Sequence, residues 1–171
     1  KDAALKRIHG TTTYDALKGC ELVIEAATES EELKVRILKQ IDALARPEVI
    51  LATNTSSISI TRLAATTSRP GKFIGMHFFN PVPMMTLVEL VRGLQTEDTT
   101  VADVAALAKQ LGKVPIVVRN SPGFVVNRVL CPMINEAISA LQEGLASAEE
   151  IDNGMKLGCG HPMGPFTLLD F

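Results

Sequence analysis

Short apolar runs alternate with amphipathic stretches over the first two thirds of the chain. Five runs have the length of buried strands: residues 22–26, 49–53, 73–78, 87–91 and 114–118. Three stretches between them have helical spacing of their apolar residues: residues 30–45, 59–65 and 99–111. Strands that alternate with helices favour a mainly parallel sheet that is covered by helices, so the predicted fold class is α/β.

The helix predicted at residues 30–45 has the clearest apolar pattern. One stripe contains its apolar side chains: Leu33, Ile37, Leu38, Ile41, Leu44 and Ala45. Pro47 disfavours helical backbone at the residue before it, which predicts the end of the helix. We therefore expect this stripe to pack against the sheet.

The pattern changes after Arg119. Ser121-Pro122-Gly123 is typical of a helix start, and the following helix is predicted to reach about Gln142, with a kink at Pro132. A capping box at Ser147 to Glu150 opens another helix that runs to Gly158. These features predict an α/β domain over residues 1–119 and a helical domain over residues 120–171.

Composition excludes several classes of protein. A net charge of −2 and 4% aromatic residues without Trp argue against a nucleic-acid partner. No apolar run approaches the roughly 20 residues of a membrane span. Cys20, Cys131 and Cys159 are far apart and lack a C-x-x-C spacing, which indicates reduced cytoplasmic thiols rather than disulfides or a metal site.

His77 ends one apolar run, and Glu89 lies inside the next run. Pro81 and Pro83 favour a turn between the two runs, which would bring the two side chains together. A carboxylate beside an imidazole holds one tautomer and favours a general base. The alternative is a core histidine near a strand glutamate without a chemical role.

Polar residues follow four of the predicted strands: residues 25–29, 54–57, 77–80 and 120–121. Open α/β sheets bind ligands at the carboxyl ends of their strands. A polar Asn127 also interrupts the apolar start of the long helix. A serine hydroxyl, a histidine with its glutamate and an asparagine amide can together bind one oxygen that alternates between alcohol and ketone.

Six motifs along the chain occur together in one order: Ile24–Glu29, Asn54–Ser57, His77–Pro83, Pro122–Arg128, Met155–Gly158 and Pro162–Pro165. In this order they resemble the NAD-dependent 3-hydroxyacyl-CoA dehydrogenase family, and within it the bacterial enzymes that act on 3-hydroxybutyryl-CoA. The resemblance covers essentially the whole chain. It implies a truncated Rossmann-type doubly wound sheet that is followed by the start of an all-α C-terminal domain.

The resemblance also implies site residues. The catalytic residues would be His77, Glu89, Ser56 and Asn127, and the residues that contact NAD would be Glu29, Lys34, Ser56 and Asn80. His77 would take the proton of the 3-hydroxyl group, and Glu89 would orient His77. A lysine on a helix surface is usually solvated, so Lys34 and likewise Asn54 carry less weight. No metal is implied.

The sequence departs from the family in lacking the first strand and its G-x-G-x-x-G turn, which binds the pyrophosphate. Gly158-Cys159-Gly160 with Gly164 does not replace it, since the third glycine comes one position late and follows a helix. The acidic residue that binds the adenosine ribose in the family would also lie upstream, so NADP in place of NAD stays open. We expect an internal piece of a longer, homodimeric protein, and we expect the isolated piece to be inactive.

The function that the resemblance implies is oxidoreduction of 3-hydroxyacyl-CoA and 3-oxoacyl-CoA in fatty acid and butanoate metabolism. One alternative is the dehydrogenase part of a multifunctional fatty-acid oxidation protein. A second is a structural or binding protein on the same scaffold, which would not need all of Ser56, His77, Glu89 and Asn127. A third is an unrelated reductase of hydroxy acids that needs no CoA.

Overall fold

A computed structural model describes residues 2–170, which form two compact units. The first unit ends at Phe124 and the second begins at Val125. The first unit contains five strands: β1 (Leu22–Glu25), β2 (Ile50–Thr53), β3 (Phe73–Phe78), β4 (Leu87–Arg92) and β5 (Val114–Arg119). Its helices are α1 (Asp2–Leu5), α2 (Glu31–Leu44), α3 (Ile60–Ala64) and α4 (Asp98–Gln110), with 3₁₀ turns at Tyr14–Gly19 and Pro70–Lys72.

The five strands form one sheet in the order β1-β2-β3-β4-β5. β1, β2 and β3 are parallel, β4 is antiparallel to β3, and β5 is parallel to β4. The prediction of a mainly parallel sheet is confirmed. Because β4 and β5 run the other way, Asn120 and Ser121 follow β5 at the opposite edge from Glu25 and Asn54. Their predicted place at the same edge is therefore wrong.

Helices cover both faces of this sheet. On one face, α2 and α3 pack on alternate strand residues, among them Val23, Leu51 and Phe73. On the other face, α4 packs on the residues between them, such as Ala52 and Ile74. Successive strand side chains point to opposite faces, which produces this alternation. The predicted doubly wound α/β arrangement is confirmed.

The inward face of α2 differs from the predicted stripe. The buried positions are 34, 38, 41 and 45, which recur at the helical spacing of three and four residues. Leu33 and Leu44 are 40% and 38% exposed. The prediction that Leu33 and Leu44 belong to the buried stripe was wrong. The inward face of α2 begins at position 34, and the residue there is the polar Lys34.

Gly75 lets α3 approach β3 and β4 closely. A methyl group in place of its hydrogen would lie 2.8 Å from Cδ1 of Ile60 and 2.9 Å from Cβ of Val91. Both distances are below normal van der Waals contact, and both neighbours are completely buried. Position 75 lies two residues before His77. It requires glycine because the core has no room there for a Cβ atom.

The second unit contains the helices α5 (Val126–Gln142), α6 (Ala148–Cys159) and α7 (Pro165–Leu169). The predicted helix start at Ser121 is wrong, since Gly123 and Phe124 have φ of 76° and 50°, which is left-handed backbone that a helix excludes. The Ser147 capping box is confirmed. Within residues 2–170, no helix combines the length and apolar character that a membrane crossing needs.

Candidate active site

His77 and Glu89 face each other across two neighbouring strands. They are directly paired in the antiparallel register of β3 and β4. Nδ1 of His77 lies 2.6 Å from Oε2 of Glu89. His77 is 7% exposed and Glu89 is fully buried. The contact that the turn at Pro81 and Pro83 predicts is confirmed.

The contact with Glu89 determines which ring nitrogen of His77 can act as a base. An ionised carboxylate only accepts hydrogen bonds. The hydrogen of the neutral imidazole ring therefore lies on Nδ1, which donates the hydrogen bond to Glu89. Nε2 then keeps its lone pair. The ring also lies against two aromatic side chains, with centroid distances of 4.5 Å to Phe79 and 5.6 Å to Phe124. These contacts hold the imidazole plane in one orientation.

Glu29 organises the loop that follows β2. Its Oε1 accepts hydrogen bonds from Oγ1 of Thr55 at 2.6 Å, from N and Oγ of Ser56 at 2.9 and 3.1 Å, and from N and Oγ of Ser57 at 3.3 and 3.2 Å. Partial burial alone would raise the pKa of Glu29. The hydrogen bonds from Thr55, Ser56 and Ser57 outweigh that effect, so the pKa lies below its ordinary value.

Lys34 lies inside the first unit rather than on a solvated helix surface. Its side chain has no exposed area, and Nζ donates to Oε2 of Glu25 at 2.6 Å. Nζ also donates to Oγ1 of Thr53 at 3.3 Å and to the carbonyl of Asn54 at 2.8 Å. The interpretation of Lys34 as a solvated lysine is therefore wrong. Its predicted contact with NAD stays a prediction, and its burial leaves no surface for it in this conformation.

Asn54 joins the loop after β2 to the strand that contains His77. Its Oδ1 accepts a hydrogen bond from the Phe78 amide at 3.0 Å. Asn80 is exposed just beyond β3, and Asn127 is half-buried in the first turn of α5, in the second unit. The structure thus groups His77 with Glu89 and Ser56 with Glu29. The roles of Asn80 and Asn127 stay predictions.

Several residues of this region were missed or underweighted by sequence reasoning. Glu25 and Thr53 complete the buried Lys34 cluster, and Thr53 Oγ1 donates to Glu25 at 2.7 Å. A carboxylate and a hydroxyl at the ends of adjacent strands were the signal for this cluster. Lys113 Nζ donates to the carbonyls of Val82 and Met85, which anchors the loop after His77. No pattern in the sequence indicated that anchor.

The polar groups at this edge suit the ribose and amide groups of a dinucleotide. Ser56 and Asn80 are accessible, and the carboxylate of Glu29 lies among hydroxyl groups. The carboxyl ends of β1, β2 and β3 form this edge, where α/β sheets bind nucleotides. Residues 2–170 contain no cluster of three His, Cys, Asp or Glu side chains that can hold a metal ion.

The five-stranded sheet with helices on both faces defines a Rossmann-like α/β protein, and the histidine–glutamate pair lies at one edge of that sheet. The sequence-family model of the 3-hydroxyacyl-CoA dehydrogenase NAD binding domain matches residues 1–121. The sequence-family model of the 3-hydroxyacyl-CoA dehydrogenase C-terminal domain matches residues 123–171. The chain therefore belongs to the 3-hydroxyacyl-CoA dehydrogenase family. This membership confirms the resemblance that the motifs indicated.

Individual relatives agree with this membership. A probable 3-hydroxybutyryl-CoA dehydrogenase of Deinococcus radiodurans is 52% identical over 99% of the chain and 61% of its own length. The 3-hydroxybutyryl-CoA dehydrogenase of Clostridioides difficile is 53% identical over 99% of the chain and 60% of its own length. The crystal structure of the (S)-3-hydroxybutyryl-CoA dehydrogenase of Ralstonia eutropha superposes with a TM-score of 0.96 at 70% identity. That superposition covers 98% of the chain and 59% of the other protein. The chain thus spans about three fifths of these relatives.

Proposed function

We propose that the protein containing this chain interconverts (S)-3-hydroxybutyryl-CoA and acetoacetyl-CoA by hydride transfer to or from NAD. The observation that carries this proposal is the 2.6 Å contact between His77 Nδ1 and Glu89 Oε2, at the edge formed by the carboxyl ends of β1, β2 and β3, where α/β sheets bind ligands. The names of the relatives from Clostridioides difficile and Ralstonia eutropha support the substrate.

In the direction of oxidation, His77 acts as the general base. Nε2 takes the proton of the substrate 3-hydroxyl group, and the ring becomes an imidazolium ion. Glu89 stabilises that ion through Nδ1 and keeps the ring in place. NAD, when bound, supplies the acceptor for the hydride that leaves C3. In the reverse direction, Nε2 returns the proton to the ketone oxygen.

Ser56 and Asn127 have the remaining proposed catalytic roles, and Glu29, Ser56 and Asn80 would hold NAD. The hydroxyl of Ser56, which donates to Glu29 at 3.1 Å, would turn to donate to the reacting oxygen of the substrate, because the single hydrogen of the 3-hydroxyl group goes to Nε2 of His77. The family resemblance also gives Asn127, a residue of the second unit, a hydrogen bond to the substrate. Lys34 would act on the cofactor site through Asn54 and Glu25, which it contacts directly. NADP in place of NAD stays open.

The partners and location belong to the same proposal. The substrate is an acyl-CoA, the full-length protein is a homodimer, and its compartment is the cytoplasm. The three cysteines are free thiols, which agrees with a reducing compartment. The homodimer rests on the family resemblance alone.

A second candidate is the dehydrogenase part of a multifunctional fatty-acid oxidation protein. The alpha subunit of the fatty acid oxidation complex of Acinetobacter baylyi is 49% identical over 97% of the chain, which spans 23% of that subunit. The length of the full reading frame distinguishes the two candidates. The His77 and Glu89 pair supports a catalytic role over a purely structural one.

The test is oxidation of NADH by the full-length protein, followed at 340 nm with acetoacetyl-CoA. We expect turnover with acetoacetyl-CoA and much slower turnover with free acetoacetate at the same concentration. Parallel reactions with NADPH decide the cofactor. Equal rates with acetoacetate would favour a hydroxy-acid reductase without a CoA site, and no turnover with either substrate would refute the proposal.

A further inference from the structure

The backbone pairing between β2 and β3 ends before it reaches His77. The last paired residues are Thr53 and Gly75, two positions earlier. The amide of Phe78 donates instead to Oδ1 of Asn54, at 3.0 Å. A side-chain amide thus continues the hydrogen bonding of the sheet where β2 stops, directly after the proposed base.

Asn54 is itself fixed on both sides of its backbone. Its amide donates to the carbonyl of Glu25 at 2.7 Å, and its carbonyl accepts from Nζ of Lys34 at 2.8 Å. The Lys34 ammonium is fully buried and is also bound to the carboxylate of Glu25. Hydrogen bonds from a charged donor are stronger than neutral ones, so Asn54 has little freedom to move.

We propose that Asn54 is a positioning residue that holds the end of β3, and therefore His77, in its reactive place. This inference rests on the proposed function, because its effect is measured on that reaction. Glu89, Phe79 and Phe124 contact the ring of His77, and Asn54 fixes the backbone amide of the next residue, so contacts to both ring and backbone determine where Nε2 lies. A displacement on the order of 1 Å at a reacting group costs about 100-fold in rate.

Two substitutions separate the acceptor from the size of the side chain. Asn54→Leu has a similar volume and removes Oδ1, whereas Asn54→Asp keeps an acceptor at that position. In the full-length protein, we expect Asn54→Leu to lower kcat for acetoacetyl-CoA reduction on the order of 10–100-fold. KM for NADH and for acetoacetyl-CoA should change by less than about twofold, since the lost contact touches neither ligand. Asn54→Asp should restore most of kcat.

The matched control is Thr96→Val, because the hydroxyl group of Thr96 contacts the opposite end of β3 from His77. Thr96 Oγ1 donates to the carbonyl of Phe73 at 2.7 Å and accepts from the Gly93 amide at 2.9 Å. This variant loses one buried hydrogen bond to the start of β3 and one to Gly93, and both lie away from His77, which is near the opposite end of β3. We expect a lower midpoint of urea unfolding with kcat near the wild-type value.

Equal kcat values for Asn54→Leu and Thr96→Val would overturn the inference, as would equal losses in Asn54→Leu and Asn54→Asp. If Asn54→Leu does not fold, Asn54→Ala removes the same acceptor. The kcat values of Asn54→Ala and Asn54→Asp are then compared, and equal losses would again overturn the positioning role. A wild-type protein without turnover would refute the proposed function and this inference together. An active wild type with an unaffected Asn54→Leu would refute the positioning role alone.

Discussion

Nζ of Lys34 and Oε2 of Glu25 form an ion pair 2.6 Å apart, with side-chain exposures of 0% and 1%. The pair joins α2 to the end of β1 and to the loop that contains Ser56. Removing two charges from water is costly, and the pair compensates for this only while both partners are present. The buried pair is therefore a sensitive point of the first unit.

Lys34→Met should destabilise the protein by about 3–5 kcal/mol, because it leaves the Glu25 carboxylate buried without its counter-charge. The double variant Lys34→Met/Glu25→Gln should recover part of this loss. Urea unfolding of the full-length protein measures both values. Lys18→Met serves as the control, since its pair with Asp15 is solvent-exposed and should contribute little to stability. A similar small loss in Lys34→Met would contradict the role of the buried pair.

His77 and Glu89 should act as a unit in catalysis. His77→Gln should lower kcat by about 10²–10⁴-fold, the usual effect of losing a positioned general base. NADH affinity, measured by fluorescence titration, should stay nearly unchanged. Glu89→Gln should also lower kcat, and the double variant should lose less than the product of the single losses. Independent, multiplicative losses would contradict the pair.

Glu29 should contribute stability in a pH-dependent way. Hydrogen bonds lower its pKa in the folded state from the ordinary value of 4.5. The folded protein therefore binds the proton less readily than the unfolded chain, so the stabilisation is complete above the ordinary pKa and is lost as pH falls through the lowered pKa. The free energies of unfolding of wild type and Glu29→Gln should differ most above pH 4.5, and the difference should shrink as pH falls below that value. Glu32→Gln, an exposed change in the first turn of α2, is the control.

Lys113 should restrain the loop between His77 and Glu89. Its ammonium donates to the carbonyls of Val82 and Met85. Lys113→Met should therefore speed amide hydrogen exchange at Met84 and Met85, while exchange in the strands stays the same. Lys109→Met, on the neighbouring helix, is the control. Unchanged exchange in the loop would show that the prolines alone restrain it.

Much of the fold could be predicted because local patterns carry it. The five apolar runs and the helical spacings located the strands and the three longer helices of the first unit. The direction of β4 was harder to predict from the sequence, because an apolar run does not specify whether its strand pairs parallel or antiparallel to its neighbour. That gap misplaced Asn120, although the turn at Pro81 and Pro83 correctly predicted that Glu89 meets His77.

The polar network was less predictable than the helices and strands. Lys34 looks like any surface lysine in sequence, and only the approach of α2 to Glu25 and Thr53 shows that it is buried. The hydrogen bond from Phe78 to Asn54 joins residues 24 positions apart. Such contacts depend on the final packing of the sheet, which a local pattern does not encode.

In the proposed reaction, hydride goes to C3 of acetoacetyl-CoA and His77 donates the proton. The decisive measurement is reduction of acetoacetyl-CoA by the full-length protein with NADH that is fully deuterated at C4, followed by mass spectrometry of the product. We expect one deuterium at C3 of 3-hydroxybutyryl-CoA, with formation slowed by about 10²–10⁴-fold in His77→Gln. A product without deuterium at C3, or a rate that does not depend on His77, would contradict the proposed reaction.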